Sequence, residues 1–564
     1  MTLQKPTAMQ KIDVIKVYQR KNALIVDDFP DMRGSIRRML VNFGIADVET
    51  ASTGAEAITW CENKYFDIIL CDYNLGDGKN GQQVLEELRY RKLLKRTCAY
   101  MMITAETTKS MVFGALEYQP DDYLTKPFTQ TVLQKRLDRL VLEKEELMEI
   151  NRAMDEADYD RAIALCDEHI NSQSRYEQKC YRIKAQCFLE KHLFPKAQTI
   201  YEKVLDERPV DWAQIGLGQC LMEMGDLDAA EQVFNELISQ NCLCLEVYDA
   251  LAKIKEHRGD IAGAQQLLEY ASDVSPNAIL RQQLLAEISQ SNGDLERAEK
   301  AHRKVVRLGA NSCYDSPENY FKLARCISTQ IKQSDTKDRK RINDAEEVLD
   351  RARRRYRDNP EVRLQSDIIN ATVYADAGQT EESRKRIESV SNRLTPTEGE
   401  DEQASAQIAL DLARCYQSMG DNQQAQAILR ELAAKHPDNE AIGEAIDRLS
   451  DEPLSQKGKD KAVELNRRGK ELLSNQNFTE AVALFGEALR HYPNNIAVKL
   501  NLLLASVRNM RALGPTAEQI ERCNKVIHSV DTLDEDHPLY DRFQALWANV
   551  EDLEEELEEG HSDA

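Results

Sequence analysis

The chain has 564 residues, of which 42% are hydrophobic and 30% charged, and its formal net charge is -23 at pH 7. This length exceeds that of one compact domain, so we expect several domains or an extended repeat array. No run approaches the roughly 20 apolar residues that span a bilayer, and residues 1–10 lack the apolar segment of a secretion signal. We therefore expect a cytoplasmic protein with no membrane partner.

Acidic residues are concentrated after residue 142. The first 142 residues hold 20 Lys and Arg against 18 Asp and Glu, whereas the remainder holds 54 against 79. Because acidic surfaces repel phosphate backbones, nucleic acid is not expected to be the main partner of this larger region. The change in charge balance also predicts a domain boundary near residue 142.

Short apolar runs alternate with helical periodicity between Asn22 and about Leu140. That alternation is typical of an α/β domain with a doubly wound parallel sheet. Five strands are predicted, at Ala23–Val26, Asp47–Thr50, Ile68–Cys71, Ala99–Ile103 and Asp122–Leu124. Ligands of such sheets bind beyond the carboxyl ends of the strands, so the residues found there are the first candidates for chemistry.

Polar side chains of complementary chemistry follow these strand ends. Asp27 and Asp28 follow the first strand, and Asp72, Thr104 and Lys126 follow the third, fourth and fifth. Three carboxylates that converge at one rim repel each other, so they favour a hard divalent cation such as Mg²⁺. The cation would recruit a phosphoryl group, which one carboxylate accepts as a nucleophile while the lysine and the threonine hold its oxygens. Asp72 is the predicted nucleophile because it ends the central strand.

The segments LIVDD, DIILCDYNL, MMITAE and DDYLTKPF resemble the receiver domain of two-component response regulators over residues 21 to about 140. The resemblance implies a flavodoxin-like fold in which Asp72 is phosphorylated by a sensor histidine kinase or a phosphotransfer protein. It also implies that Asp27, Asp28, Asp72 and the backbone carbonyl of Asn74 bind Mg²⁺.

Further positions match the same family. Lys126 resembles its invariant lysine, and the resemblance implies a cis peptide bond before Pro127. Thr104 and Tyr123 resemble the switch pair, through which the phosphoryl group remodels the face made by the receiver's fourth helix, fifth strand and fifth helix. A homodimer through the face of the fourth and fifth helices is a further expectation.

The loop after Asp72 departs from the family pattern. It is longer, it lacks proline, and its glycine, Gly81, comes later than usual, so the resemblance leaves the exact geometry of this loop open, although the acidic cluster is complete. The side chain of Asn74 and Glu106 occupy positions that flank the phosphorylation site in the family. They either tune the lifetime of the acyl phosphate or are two exposed polar residues, and both interpretations stay open.

After residue 142 the sequence repeats with a period of 34 residues. The period is marked by glycines and by small residues at Gly225, Gly259 and Gly293 and at Ala230, Ala264 and Ala298. Small residues let antiparallel helices approach closely, larger ones fill the gap, and a proline ends the second helix. This pattern resembles the tetratricopeptide repeat, and it predicts an all-α superhelical solenoid of nine or ten repeats.

These features predict five segments. They are an N-terminal extension (1–20), a receiver domain (21–142), a tetratricopeptide array (143–450), a polar linker (451–461) and C-terminal repeats with a capping helix and an acidic tail (462–564). Between Gln130 and Met154 there is no Gly or Pro, so the fifth receiver helix, capped by Thr129, is predicted to continue into the first repeat. Such a shared helix would transmit rotation from the receiver to the array.

The repeats show no catalytic or metal-binding constellation, and stacked helical arrays bind extended peptides or helices in their concave groove. We therefore predict a phosphorylation-controlled adaptor that binds partner proteins and is not an enzyme. The alternative is an output enzyme, or a transcriptional regulator that contacts nucleic acid through a basic segment. That segment is otherwise a solvated helix face or a dock for acidic groups, and it comprises Arg351, Arg353, Arg354, Arg355 and Arg357, with Arg339, Lys340 and Arg341 nearby.

Overall fold

The computed structural model describes residues 13–105, 119–240, 244–334, 339–391, 402–530, 533, 535 and 537–562. The chain divides into two compact units, Met1–Asn319 and Tyr320–Ala564. The first unit contains the N-terminal α/β domain and the first helical repeats, and the described part of the second unit is helical. Within the described ranges, none of the helices combines the length and apolarity needed to cross a bilayer.

Five parallel strands form the sheet of the α/β domain. They are β1 (Asn22–Val26), β2 (Asp47–Ala51), β3 (Ile68–Asp72), β4 (Ala99–Thr104) and β5 (Asp122–Thr125), in the spatial order β2-β1-β3-β4-β5. Each predicted strand is confirmed and is one residue longer than expected. The strand order reverses between β1 and β3, so the carboxyl ends of these two strands lie at the switch point where such sheets bind ligands.

Helices cover both faces of this sheet. They are α1 (Val14–Tyr18), α2 (Pro30–Phe43), α3 (Gly54–Asn63), α4 (Gly81–Tyr90) and α5 (Gln130–Glu146). On one face Ile25 packs with Leu40 of α2 and Leu137 of α5, and on the other Leu24 packs with Leu85 of α4. Because β3 and β4 are buried on both faces, their sequences are continuous apolar runs rather than alternating ones.

The described part of the predicted extension, residues 13–20, is not separate from the α/β domain. Val17 and Tyr18 of α1 are 2% and 1% exposed and belong to the same core as α2 and α5. The Tyr18 hydroxyl donates a hydrogen bond to the Asp138 carboxylate on α5, with 2.7 Å between the oxygens. Helix α1 therefore covers apolar surface that α5 alone leaves open.

The connection between the α/β domain and the repeats is almost a single helix. Helix α5 ends at Glu146 and α6 (Met148–Asp155) starts after one intervening residue, Leu147, whose φ and ψ are -95° and 14°. The predicted continuous helix from Gln130 is therefore interrupted once. Leu147 is buried with Ile150 in the core of the first repeat, so packing rather than Gly or Pro sets the break.

Consecutive helices of the first repeats pack against each other. These helices are α7 (Tyr159–Asn171), α8 (Glu177–Glu190), α9 (Phe194–Glu207), α10 (Asp211–Glu223), α11 (Leu227–Ser239), α12 (Leu245–His257), α13 (Ile261–Val274), α14 (Ile279–Ser291) and α15 (Leu295–Gly309), followed by α16 (Pro317–Gln333), which contains the boundary at Asn319.

The 34-residue period has a local cause in the turns and in the helix crossings. The repeating glycines adopt left-handed φ angles of 79° to 82°, and the aspartate after each one caps the next helix, at Gly225-Asp226, Gly259-Asp260 and Gly293-Asp294. The repeating alanines, Ala230, Ala264 and Ala298, are fully buried. The repeat pattern is therefore a pattern of turns and of close contacts between helices.

The second unit continues with helices of similar length. They are α17 (Arg339–Arg355), α18 (Pro360–Asp376), α19 (Thr380–Ser391), α20 (Glu402–Ser418), α21 (Asn422–Lys435), α22 (Glu440–Leu449), α23 (Gln456–Ser474), α24 (Phe478–His491), α25 (Ile496–Leu513), α26 (Ala517–His528) and α27 (Tyr540–Ser562).

Two segments of the second unit differ from the sequence-based expectations. Helix α23 starts at Gln456, with Ser455 as its N-cap, so the second half of the predicted linker is helical. The predicted acidic tail continues as helix α27 to Ser562, because Val550 and Leu553 of that helix are buried in the core of the last repeats.

Candidate functional site

Three carboxylates meet at the carboxyl ends of β1 and β3. Val26 and Cys71 are paired in register, so Asp27 and Asp72, the residues that follow them, lie side by side at the rim of the sheet. The carboxylate oxygens of Asp27, Asp28 and Asp72 lie within 4.8 Å of one another. Asp27 and Asp72 are only 1% and 5% exposed. The predicted acidic cluster therefore exists as a compact and largely buried group.

Lys126 brings a positive charge into this cluster. Its Nζ atom lies 2.8 Å from a carboxylate oxygen of Asp27 and 2.8 Å from one of Asp72. The peptide bond between Lys126 and Pro127 is cis, as the resemblance implied. The lysine follows β5 at the edge of the sheet and reaches the carboxylates that follow β1 and β3.

The pKa values of Asp72 and Lys126 are both raised, but for different reasons. Burial raises the pKa of Asp72 above its ordinary value, although the hydrogen bond and the charge of Lys126 oppose that shift. For Lys126, burial lowers the pKa, but the hydrogen bonds with Asp27 and Asp72 outweigh it and raise the pKa overall. Lys126 therefore stays charged at neutral pH beside a carboxylate that is desolvated and held in place.

The donor set fits a hard divalent cation. One oxygen of Asp28, Oδ1, is buried and has no hydrogen-bond partner, which leaves a desolvated acceptor at the cluster. One oxygen of Asp27, Oδ1, accepts a hydrogen bond from the Phe29 backbone N–H at 2.8 Å, which orients that carboxylate. Carboxylate oxygens in such a nest are the ligands that Mg²⁺ prefers. The acidic cluster could therefore hold a metal ion.

The two predicted switch residues occupy adjoining positions on β4 and β5. Asp72 pairs in register with Ile103, so Thr104, the last residue of β4, lies at the same rim and is 1% exposed. Tyr123 lies on β5 and packs, partly buried, against the core between the sheet and helices α3 and α4. The structure thus brings Thr104 to the rim near Asp72 and places Tyr123 on the neighbouring strand.

The loop after Asp72 is held tightly against that residue. The Asn74 backbone amide donates to the Asp72 carboxylate and opposes the rise of its pKa, and the Asn74 side chain is exposed. Gly81 donates its N–H to the Tyr73 carbonyl, with 2.8 Å between the atoms. A Cβ atom on Gly81 would lie 2.2 Å from the carbonyl oxygen of Asp72, so only glycine fits there. The late glycine of this loop is therefore a packing requirement.

Two sequence-based expectations fall on residues outside the described ranges. Glu106, expected to flank the site, is one of them. Residues 106–118, between β4 and β5, are the other. The fourth helix that the resemblance implies falls on them, and with it part of the face expected to mediate homodimerisation.

Sequence reasoning missed two contributors to the site. The Arg33 guanidinium on α2 donates a hydrogen bond to the Asp27 carbonyl, which fixes the backbone at the end of β1. Asn80 and Gln83 form a reciprocal capping box at the start of α4. The Asn-x-x-Gln spacing is a signal that could have predicted this helix start, whereas the Arg33 contact has no local sequence signature.

The basic segment of the second unit lies on helix α17, except for Arg357 in the turn that follows, and is extensively paired with acidic side chains. Arg353 contacts Asp350 at 2.7 Å and Asp367 at 2.9 Å, and Arg351 contacts Glu347 at 2.6 Å. Arg341 and Arg357 pair with neighbouring aspartates as well. These ion pairs offset much of the positive charge that the sequence concentrates there.

Comparisons with known proteins match both parts of the chain. Residues 23–138 match the family model described as the response regulator receiver domain. Residues 184–241 and 399–449 match models of the tetratricopeptide repeat.

Relatives of the α/β domain include two curated proteins and a solved structure. Chemotaxis protein CheY-3 of Vibrio cholerae is 32% identical over 117 residues, which cover 21% of this chain and 88% of that protein. Chemotaxis protein CheY of Pseudomonas aeruginosa is 31% identical over 117 residues, which cover 21% of this chain and 93% of that protein. The structure of a CheY-like receiver domain protein from Methanospirillum hungatei is 28% identical, covers 22% of this chain and 97% of that chain, and gives a TM-score of 0.21.

Proposed function

Because the chain belongs to the response regulator receiver family and carries tetratricopeptide repeats, we propose that it is a phosphorylation-controlled adaptor. In this proposal Asp72 accepts a phosphoryl group from a sensor histidine kinase or a phosphotransfer protein. The repeats then bind partner proteins rather than DNA. The observation that carries the proposal is the buried Asp72 carboxylate, held 2.8 Å from Lys126 inside the acidic cluster.

Phosphoryl transfer to Asp72 uses the residues around it. A carboxylate oxygen of Asp72 attacks the phosphorus of the phosphohistidine donor, the P–N bond breaks, and its electron pair stays on the imidazole nitrogen. The Lys126 ammonium balances the added negative charge, and the Thr104 hydroxyl at the same rim donates to a phosphoryl oxygen. Asp27, Asp28, Asp72 and the Asn74 carbonyl would hold Mg²⁺, whose charge offsets that of the phosphoryl oxygens.

Phosphorylation of Asp72 also gives roles to the switch residues and to the output of the protein. Thr104 and Tyr123 would carry the phosphorylation signal to the face of the fourth and fifth receiver helices, which is also where a homodimer is expected. Neither matched family is enzymatic, so the proposal assigns the protein no output reaction. The expected cytoplasmic location stays a prediction.

Protein binding is favoured over nucleic-acid binding as the role of the repeats. The region after residue 142 has 25 more acidic than basic residues, 79 against 54. On α17 the arginines that the alternative function requires contact Glu347, Asp350 and Asp367. A phosphate backbone would have to displace these pairs and approach an acidic surface.

The acceptor role is tested with purified full-length protein, Mg²⁺ and acetyl phosphate. Intact-mass measurement should show the gain of one phosphoryl group that survives acid and is lost in base. The Asp72→Ala variant should gain none. Phosphoryl uptake that is unchanged in this variant would remove Asp72 as the acceptor.

The partner role is tested by affinity capture from native cells with wild-type protein and the Asp72→Ala variant as baits. Different sets or amounts of captured proteins would support control by phosphorylation. Recovery of the same proteins in equal amounts would make the receiver irrelevant to binding.

A further inference from the structure

The receiver contacts the repeats of its own unit at a place remote in sequence from the α5–α6 junction. Lys79, in the loop before α4, donates from Nζ to the carbonyl of Asn311, 232 residues later, at 2.8 Å. The Asn311 side-chain amide donates in return to the Gly78 carbonyl at 3.1 Å. Gln83 of α4 donates from Nε2 to the Leu308 carbonyl, also at 3.1 Å. These hydrogen bonds therefore dock the end of α15 and the loop between α15 and α16 on the receiver.

This docking contact, between residues 78–90 and residues 308–314, combines hydrogen bonds with an aromatic contact and is incompletely packed. The rings of Tyr90 and Tyr314 meet edge to face, with centroids 6.1 Å apart. A cavity of about 80 Å³ also lies at this contact, lined among others by Asn80, Gln83, Glu86, Ile279, Leu308 and Ser312. Asn80, Gln83 and Glu86 contribute to its wall beside the apolar Ile279 and Leu308, and a space of this size can hold water. The receiver and the repeats are therefore not closely packed at this point of the docking contact.

The same residues are tied directly to the phosphorylation site. The Asn74 amide donates to the Asp72 carboxylate, and Gly81 packs against the Asp72 carbonyl and donates its N–H to Tyr73. Lys79 lies between these two points, with its side chain also paired to Glu87 at 2.7 Å. We therefore expect a displacement of the backbone after Asp72 to move Lys79 and to disturb the hydrogen bond that Lys79 donates to Asn311.

A second contact anchors the receiver to the first repeats without involving this loop. The Arg96 backbone N–H donates to both carboxylate oxygens of Asp155 at the end of α6, at 3.1 Å each. The Arg96 guanidinium donates to the Gln186 side chain on α8 at 3.3 Å. The backbone carbonyl of Arg96 accepts a hydrogen bond from Lys144 Nζ at 2.9 Å. Arg96 precedes β4 at its amino end, which is the rim of the sheet opposite to Asp72.

We propose that the docking contact between the β3–α4 loop and the α15–α16 loop is a second output surface of the receiver, which phosphorylation of Asp72 weakens. The inference rests on the proposed phosphorylation of Asp72 and adds the place where the repeats receive the signal. The phosphoryl group adds volume and negative charge to the Asp72 side chain, which the Asn74 amide holds. The loop that carries Lys79 must therefore move to accommodate the phosphoryl group. Hydrogen bonds of 2.8 to 3.1 Å are lost with a shift of less than an ångström, whereas the Arg96 anchor stays in place.

Release of this contact frees the surface of the repeats around Leu308 to Tyr314. The occupant of that surface is the receiver itself, so a partner that binds there competes with the docking contact. Phosphorylation would then promote binding by removing the receiver loop. The arrangement differs from the predicted signalling through α5 and the family's fourth helix, which is expected in residues 106–118 and is not α4. In the docking contact the loop after Asp72 acts without the switch pair.

The test is hydrogen–deuterium exchange of the full-length protein, with Mg²⁺ and with or without acetyl phosphate. Amides of residues 308–316 should exchange on the order of tenfold faster when Asp72 is phosphorylated, because the hydrogen bonds that hold this loop are lost. Peptides around Asp155, at the anchor, should not change. In the Asp72→Ala variant acetyl phosphate should have no effect on residues 308–316.

The double variant Lys79→Ala/Gln83→Ala tests the docking contact without any phosphodonor. It should show fast exchange of residues 308–316 from the start and no further increase after phosphorylation. The matched control is Lys64→Ala, which removes a lysine paired with Asp47 elsewhere on the receiver and should behave as wild type.

The outcomes separate this inference from the proposed function. A protein that gains the phosphoryl group but keeps slow exchange at residues 308–316 would overturn the inference and leave the acceptor role intact. A double variant with wild-type exchange would overturn the docking contact itself. If no phosphoryl group is gained, the proposed function fails, and with it the phosphorylation dependence of the contact.

Discussion

The charge balance around Lys126 gives a quantitative prediction. With an effective dielectric constant of about 20, two carboxylate oxygens at the 4.8 Å limit of the cluster repel by about 3 to 4 kcal/mol. Each contact of the Lys126 ammonium at 2.8 Å, with Asp27 and with Asp72, attracts by about 6 kcal/mol on the same scale. The two attractions therefore roughly offset the repulsion among three carboxylates.

Replacing Lys126 by methionine removes both attractions and leaves the carboxylates uncompensated. A divalent cation then relieves more repulsion than it does in the wild-type protein, so Mg²⁺ should bind more tightly to the Lys126→Met variant. We expect at least a tenfold gain in affinity, about 1.4 kcal/mol. This is a small part of the attraction removed, because water and protonation of Asp72 relieve some of the repulsion. Isothermal titration calorimetry with Mg²⁺ at neutral pH measures the difference.

Two variants serve as controls for this prediction. Lys126→Arg keeps the positive charge and should retain an affinity close to that of the wild type. Lys64→Met removes a surface lysine of the same domain and should leave Mg²⁺ binding unchanged. Equal or weaker binding by Lys126→Met would refute the view that the balance of charges among these side chains governs the cation affinity of the site.

Three further substitutions test the packing and the electrostatics described above. Gly81→Ala places a Cβ atom 2.2 Å from the Asp72 carbonyl oxygen, and calorimetry should show a loss of stability of about 1 to 3 kcal/mol in the receiver transition; an unchanged transition would contradict the tight loop. Asp376→Asn removes a carboxyl group whose pKa is raised by burial, despite hydrogen bonds from Ser328 and Ser418. Because the pKa of Asp376 is higher in the folded than in the unfolded protein, the ionised carboxylate opposes folding once the pH exceeds the ordinary pKa of an aspartate. The variant should melt at a higher temperature than wild type at pH 7, and the difference should vanish at acidic pH. A lower melting temperature of the variant at pH 7 would show that the ionised Asp376 does not oppose folding. Asp226→Ala removes the N-cap of α11 and should cost about 0.5 to 2 kcal/mol, seen as faster amide exchange in the first turn of that helix, and unchanged exchange there would exclude a capping role.

Much of the α/β domain could be predicted because its signals are local. Strands β3 and β4 are buried on both faces, so they appear as uninterrupted apolar runs, and the polar residues directly after them mark the rim. Strand connectivity then places Asp27 and Asp72 together without knowledge of any side-chain contact. In the repeats, the left-handed turn glycines, such as Gly259, impose a period that the sequence displays openly.

Other features depend on residues that are far apart in the chain. The break between α5 and α6 occurs at Leu147 because that side chain is buried in the first repeat, and no Gly or Pro marks it. Helix α1 joins the receiver core because Tyr18 meets Asp138 on α5. The basic segment on α17 appears as a charged run in the sequence, yet part of its pairing, such as that of Arg353 with Asp367, comes from the next helix.

The sequence by itself determined the order of the domains, the parallel sheet, the identity of the acidic cluster with its lysine, and the repeating helices. These properties follow from the periodicity of burial and from backbone preferences, which act over a few residues. Only the tertiary structure decided which loop of the repeats meets the receiver, through Lys79 and Asn311. That contact depends on how successive helices stack between α6 and α16, and small rotations at each helix pair add up over the 232 residues that separate its two sides.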